Sequence, residues 1–193
     1  MRTLAVKLKD SVFLFFFALH LNLVSCVLII RHLRSFYSES FPMSAYCYAL
    51  FSVILSISPS SEQVSVCERI VEAAENNQVD AELLVSLAWH ESGMRTKAYN
   101  YRSGAVGPLQ ILPKYWCKNK TAKNCNLIKA GVDALKAWQK VSSSDVMAIC
   151  KYNSGNICRR RSERWAKLVV KVSKRIKGIV DDELQKNGSE CYP

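Results

Sequence analysis

Glu91 closes the run Leu83–Gly93, LLVSLAWHESG, and its setting is the first in the chain to suggest chemistry. Leu84, Leu87, Ala88 and Glu91 recur at i, i+3, i+4 and i+7, which puts all four on one face of a helix. Asp80 stands where an N-cap belongs, Glu82 falls in the first turn, and Gly93 ends the run. The face that should bury itself therefore finishes in a carboxylate. An ionised carboxylate that leaves water without a partner is costly, and such a group usually neutralises by raising its pKa. A carboxylic acid kept protonated near neutral pH at the mouth of a cleft is what protonating a leaving oxygen needs. The plainer alternative is a Glu at a helix end that curls out to solvent or pairs with a Lys, so other segments must decide.

Three loop-bounded pieces hold polar residues that packing alone does not need: Glu91-Ser92, the segment Gly104–Ile111 (GAVGPLQI), and Tyr152-Asn153-Ser154-Gly155. In this order the three resemble the catalytic domain of the soluble lytic transglycosylases and goose-type lysozymes, of the lysozyme-like superfamily. That family shows a Glu-Ser pair at a helix end, then a Gly-Leu-Met-Gln type loop, then a Tyr-Asn-x-Gly turn. Gln110 lies nineteen positions after Glu91 and Tyr152 forty-two positions after Gln110, spacings that also fit the family. The resemblance covers roughly 66–176. Pro108 stands where Leu is commoner, Met94 where Phe is common, and Lys151 where Ala often precedes the Tyr-Asn pair. These departures leave the polar positions intact.

The resemblance implies a peptidoglycan-cleaving enzyme. Glu91 would be the general acid and then base at the bond between N-acetylmuramic acid and N-acetylglucosamine. It would next accept the proton of the sugar's own 6-hydroxyl as a 1,6-anhydro ring closes. Substrate-binding roles fall on Ser92, Gln110, Tyr152 and Asn153. Ser92 would support the helix end or contact substrate, Gln110 would hydrogen-bond near the cleavage point, Tyr152 would approach the catalytic carboxyl, and Asn153 would hold its turn. The plainer roles for these residues are capping and turn formation. No cofactor or metal is implied.

Ordinary glycosidases use two carboxylates. Between Ser92 and Val132 there is no Asp or Glu, and Asp133 and Asp145 sit on or at the start of later helices, where capping or solvent accounts for them. A lone acid suits assistance by the substrate's N-acetyl group, which leans toward transglycosylase over hydrolase. Two alternatives remain: a lysozyme-like hydrolase on the same fold, and an inactive wall-binding assembly protein. His90, about 100° around the helix from Glu91, reads as packing or surface. Trp89, Trp116 and Tyr115 could stack on sugars, though aromatics at such positions are more often core.

The elements that must position these groups are helical. Val66, Cys67, Ile70, Val71 and Ala74 form a stripe that Asn76-Asn77 stops. Arg95–Pro113 reads as loop. Ile128, Val132, Leu135 and Trp138 form a second stripe capped by Asn126. Asp145 is expected to cap a short helix, Tyr152–Asn156 to form a turn, and Ser162 to cap a last helix with the stripe Trp165, Leu168, Val169, Val172 and Ile176. No long run alternates as a strand would. The expected fold is mainly α: a lysozyme-like helical domain over 61–193 with long substrate-binding loops, behind an apolar N-terminal region, 1–60.

That first region carries Arg2, Lys7 and Lys9 followed by an apolar run over about 12–30, the pattern of an export signal or membrane anchor. A second apolar run follows at about 45–57. Either both are membrane-associated, or Met43 is the start and 43–60 an export signal. Leu23-Val24-Ser25-Cys26 resembles a lipobox, but the apolar run continuing past Cys26 argues against lipidation. Both readings place the domain across the inner membrane, in the periplasm or cell envelope or secreted. The implied partners are peptidoglycan strands, the membrane through the apolar segments, and secretion, conjugation or phage machinery.

The chain carries 27 Lys and Arg against 16 Asp and Glu, and from Ser61 onward 22 against 14, so the domain alone holds +8. A basic surface of that size suits a polyanion such as an acidic cell-wall polymer, an anionic membrane face or nucleic acid. The export start and the cysteines disfavour nucleic acid. Arg159-Arg160-Arg161 reads equally as a solvated loop or as a contact for such a polyanion. Of eight cysteines, six lie beyond the apolar runs. Spacing favours pairing Cys117 with Cys125 and Cys150 with Cys158, leaving Cys67 and Cys191 to tie the ends; disulfides imply an oxidising compartment.

Overall fold

A computed structural model describes residues 47–48, 50–51 and 57–188, with side chains as far as Gly178. The chain divides into two units, one of them Ser58–Gly178, which holds every residue singled out above for chemistry. The expected first apolar run, 12–30, and Cys191 lie outside the described residues, as does much of the second run, 45–57. Among the described residues no helix is long and apolar enough to cross a membrane.

The unit is mainly helical. Its elements are α1 (Ser61–Asn76), α2 (Ala81–Ser92), β1 (Tyr99–Asn100), β2 (Ala105–Val106), α3 (Pro113–Trp116), α4 (Leu127–Lys140), α5 (Asp145–Ser154) and α6 (Arg160–Gly188), the last continuing into the other unit. Local chemistry sets most of the boundaries. The Ser60 hydroxyl accepts the Gln63 backbone N–H while the Gln63 side chain accepts the Ser60 N–H, a reciprocal cap that starts α1. Asp80 caps α2 through the Leu83 N–H, and Gly93 ends it at φ +61°, in the left-handed region. Asn126 caps α4, as its sequence position suggests.

Packing places α2 at the centre. Leu83, Leu84, Val85, Leu87 and Ala88 are at most 2 % exposed and Ser86 is 1 % exposed, so the helix is enclosed on every side rather than along one stripe. α1 packs on α2 and α4, and α4 packs on α3 and α5. The Ser86 hydroxyl donates to the Val169 carbonyl at 2.8 Å, fastening α2 to α6. The only side chains of α2 after Ala88 that stay partly solvated are Trp89, His90 and Glu91.

Four local expectations change. Ser144, not Asp145, caps α5, because its side chain accepts the Met147 N–H while Asp145 occupies the first turn. Tyr152, Asn153 and Ser154 are helical rather than a turn; α5 runs until Gly155, at φ +76°, stops it. Helix α6 begins at Arg160, before Ser162, with the Glu163 N–H already bonded to the Arg159 carbonyl. Leu168 is 56 % exposed, because α6 buries Ser162, Ala166, Val169, Val170, Ser173 and Ile176 instead. The Arg95–Pro113 loop contains the β1–β2 hairpin, whose two-residue strands are too short to register as alternation.

Cys117–Cys125 and Cys150–Cys158 are disulfides, as their spacing suggests; Cys67 and also Cys47, which its place in an apolar run sets apart from the framework, are disulfide-bonded. The first pins the segment between α3 and α4, and the second pins the turn between α5 and α6. Each closes a short ring with a sequence separation of 8. Replacing Cys117 and Cys125 together by Ser is expected to lower unfolding free energy by about 2–3 kcal/mol, the value chain entropy assigns to so short a ring. Urea titration under non-reducing conditions measures it, and unchanged stability would show that the ring constrains nothing.

Candidate active site

The second-to-last residue of α2 is Glu91. Its carboxyl is withdrawn from water where the buried helix emerges, and that burial alone raises its pKa from 4.5 to about 8. No cation or hydrogen-bond donor contributes to the shift, so nothing nearby stabilises the charged form. The group is therefore mostly protonated at neutral pH. It lines a cavity of about 230 Å³ together with Asn100, Ser103, Gln110, Trp116, Trp138, Tyr152 and Asn153, over a floor of small and aliphatic side chains. Among the described residues Glu91 is the only carboxylate lining that cavity. Asp133 is paired with Lys129 on the surface, and Asp145 accepts from Gln139.

The loop Gly107–Gln110 forms one wall. It is a tight turn closed by the Val106–Ile111 bridge, with backbone hydrogen bonds of 2.9 and 3.1 Å between those two residues. Gly107 is required: its φ is +78°, and a Cβ there would stand 2.8 Å from Leu127 Cδ1. Gln110, at φ +46°, holds the left-handed region that non-glycine residues seldom adopt. Its amide NH2 donates to the Ala98 and Gly107 carbonyls, at 3.3 and 3.0 Å. What Gln110 can offer a ligand is thus its Oε1 acceptor.

Two further side chains fasten this loop to the helices on either side. The Ser92 hydroxyl donates to the Pro108 carbonyl at 2.8 Å, with the Ala88 carbonyl at 3.3 Å, and accepts the Arg95 N–H. The Tyr152 hydroxyl donates to the Leu109 carbonyl at 2.7 Å. Three consecutive carbonyls, Gly107 to Leu109, are each satisfied from a different direction. Burial, and secondarily the nearby charge of Glu91, raise the Tyr152 phenol well above its ordinary pKa, so it stays a neutral donor.

The structure thus brings Glu91, Gln110, Tyr152 and Asn153 to one cavity. Ser92 is buried and is not among the lining residues; it acts on the loop from behind. Trp138, which the sequence offered only as part of the α4 stripe, lines the site, and so do Asn100 and Ser103 of the hairpin. No local signal marks these three, since their place depends on how α4 and the hairpin close over α2. Trp116 lines the cavity, whereas Tyr115 is 68 % exposed under Lys114 and Trp89 lies elsewhere. His90 packs: Nδ1 meets the Ser86 carbonyl at 2.8 Å and the ring sits edge-on to Trp165. A larger cavity of about 560 Å³, lined by Arg69, Glu72 and Lys129 among others, includes none of Glu91, Gln110 and Tyr152 and is set aside as the reaction site.

Comparison with known proteins gives one match. A family model described as the transglycosylase SLT domain matches residues 68–171, more than half of the chain and all of the elements that build the cavity. No curated protein and no solved structure matches significantly.

A carboxyl whose pKa is raised by burial makes a stability contribution that is complete below 4.5 and lost as pH rises through about 8. Glu91→Gln is neutral throughout. It is expected to match the wild type in urea unfolding at pH 4, below the ordinary carboxyl value, and to exceed it at pH 9. Equal stabilities at both pH values would mean that the carboxyl is solvated.

Proposed function

This chain belongs to the transglycosylase SLT domain family, and we propose that it is a lytic transglycosylase cutting the bond between N-acetylmuramic acid and N-acetylglucosamine in peptidoglycan. Members of the family are lytic transglycosylases, which makes peptidoglycan the substrate class. The observation that carries the reading is the Glu91 carboxyl, held neutral in a cavity that has no second acid among the described residues.

The chemistry follows from that state. A neutral Glu91 delivers its proton to the bridging oxygen as the glycosidic bond breaks, and the group becomes a carboxylate. The positive charge left on the sugar is met by the substrate's own N-acetyl group, so no second carboxylate is needed. The carboxylate, unstable where it lies, then takes the proton of the 6-hydroxyl as that oxygen closes on the anomeric carbon. Acid and base are one residue, restored at the end. Gln110 Oε1 accepts a hydrogen bond from the sugar, Asn153 adds a polar contact at the rim, and Trp116 and Trp138 offer ring faces to the glycan. Tyr152 and Ser92 hold the loop that carries Gln110.

The two short disulfides favour an oxidising compartment, and the apolar N-terminal runs favour export across, or anchoring in, the inner membrane. The excess of basic residues suits contact with an acidic wall polymer.

Digestion of purified peptidoglycan followed by mass spectrometry is expected to give fragments ending in 1,6-anhydro-N-acetylmuramic acid. Reducing ends instead would make the enzyme a hydrolase on the same fold. Glu91→Gln should lower the cleavage rate by about 10²–10⁴-fold, the usual contribution of a general acid, with wall binding retained. Wild-type activity should fall above pH 8, as Glu91 loses its proton. Undiminished cleavage by Glu91→Gln would overturn the assignment.

A further inference from the structure

We propose that Gly131 of α4 is a positioning residue for the site: the space left by its missing side chain seats Leu109, and this fixes where the Leu109 carbonyl meets Tyr152. Leu109 is fully buried, and its side chain lies directly over Gly131. A Cβ at position 131 would stand 2.7 Å from Leu109 Cβ, and nearer still to Leu109 Cδ1. The Cδ1 contact could be relieved by a rotamer change. The Cβ contact could not, because Cβ is bonded to the backbone and moves only with it. A methyl group at 131 therefore displaces the loop itself.

That loop is the one whose Leu109 carbonyl takes the Tyr152 hydroxyl at 2.7 Å and whose next residue, Gln110, lines the cavity with Glu91. Ser92 holds Pro108 from the α2 side and Tyr152 holds Leu109 from the α5 side. Gly131 supplies the third wall, from α4. Not every helical glycine here has such a role. Gly178 in α6 would bring a Cβ to within 4 Å of nothing, so it serves as a control.

The kinetic arm of the test rests on the proposed transglycosylase reaction; a second arm does not. Gly131→Ala is expected to lower kcat by about 10²-fold, the cost of an ångström-scale misplacement, with a smaller change in KM. In a Tyr152→Phe background the same substitution should cost far less, because the bond through which Gly131 acts is already gone. Gly178→Ala should leave turnover unchanged. Independently of turnover, the Tyr152 phenol, followed by ¹³C NMR of its Cζ, should titrate closer to 10 in Gly131→Ala than in the wild type, and should not move in Gly178→Ala. Equal losses in both backgrounds, or an unmoved Tyr152 titration in folded Gly131→Ala, would overturn the inference. If Gly131→Ala does not fold, Leu109→Ala empties the notch from the other side and should shift Tyr152 in the same direction; an unmoved titration there would equally overturn it. An inactive wild type would sink the proposed reaction, and the Tyr152 titration would still judge Gly131.

Discussion

The site depends on an ionisable group stationed where the protein does nothing to stabilise its charge. Most buried carboxylates are rescued by an arginine, a lysine or a set of backbone N–H groups. Glu91 has burial as its single influence, so its proton is retained well above the ordinary carboxylate range. Proteins seldom keep such an arrangement for stability, since any ionisation there is a loss. The unfavourable position becomes useful when a reaction needs a proton given up and then recovered by one group.

Holding Glu91 in that state requires the rest of α2. The six successive residues 83–88 are closed off from solvent, so the helix cannot rotate to release its last turn without opening the core. The Gly107–Gln110 turn, which brings Gln110 to the same cavity, is kept in an uncommon backbone conformation by fasteners from two helices and a notch in a third. Local strain of this kind persists only where surrounding contacts over-determine it. Here those contacts also close the cavity around the acid, so the wall that presents Gln110 and the wall that desolvates Glu91 are parts of one construction.

Charge and covalent bonds act further out. The basic excess lies largely on exposed side chains, where it shapes the field around the molecule without touching the pKa of Glu91. Each short disulfide bounds a segment leading to or from a site helix: Cys117–Cys125 ahead of α4 and Cys150–Cys158 behind Tyr152.

What could be read from the chain alone was whatever is decided within about one helical turn. Asp80, Asn126 and Gly93 mark helix ends because a cap needs only a neighbour three or four residues away. The short cysteine pairs were legible for the same reason, and Glu91 at the end of an apolar face followed from periodicity. Where local signals competed, the reading slipped. Asn153 and Ser154 are turn-forming types, yet α5 ends only at Gly155; Leu168 is the larger apolar residue, yet α6 buries Ala166 and Ser173. Tertiary structure alone decided that Ser92 faces a loop carbonyl instead of the cavity, that Tyr152 meets Leu109, and that Trp138 belongs to the site. Those contacts join residues 16 and 43 positions apart or link separate helices. No periodicity spans such gaps; only the path of the intervening chain sets them.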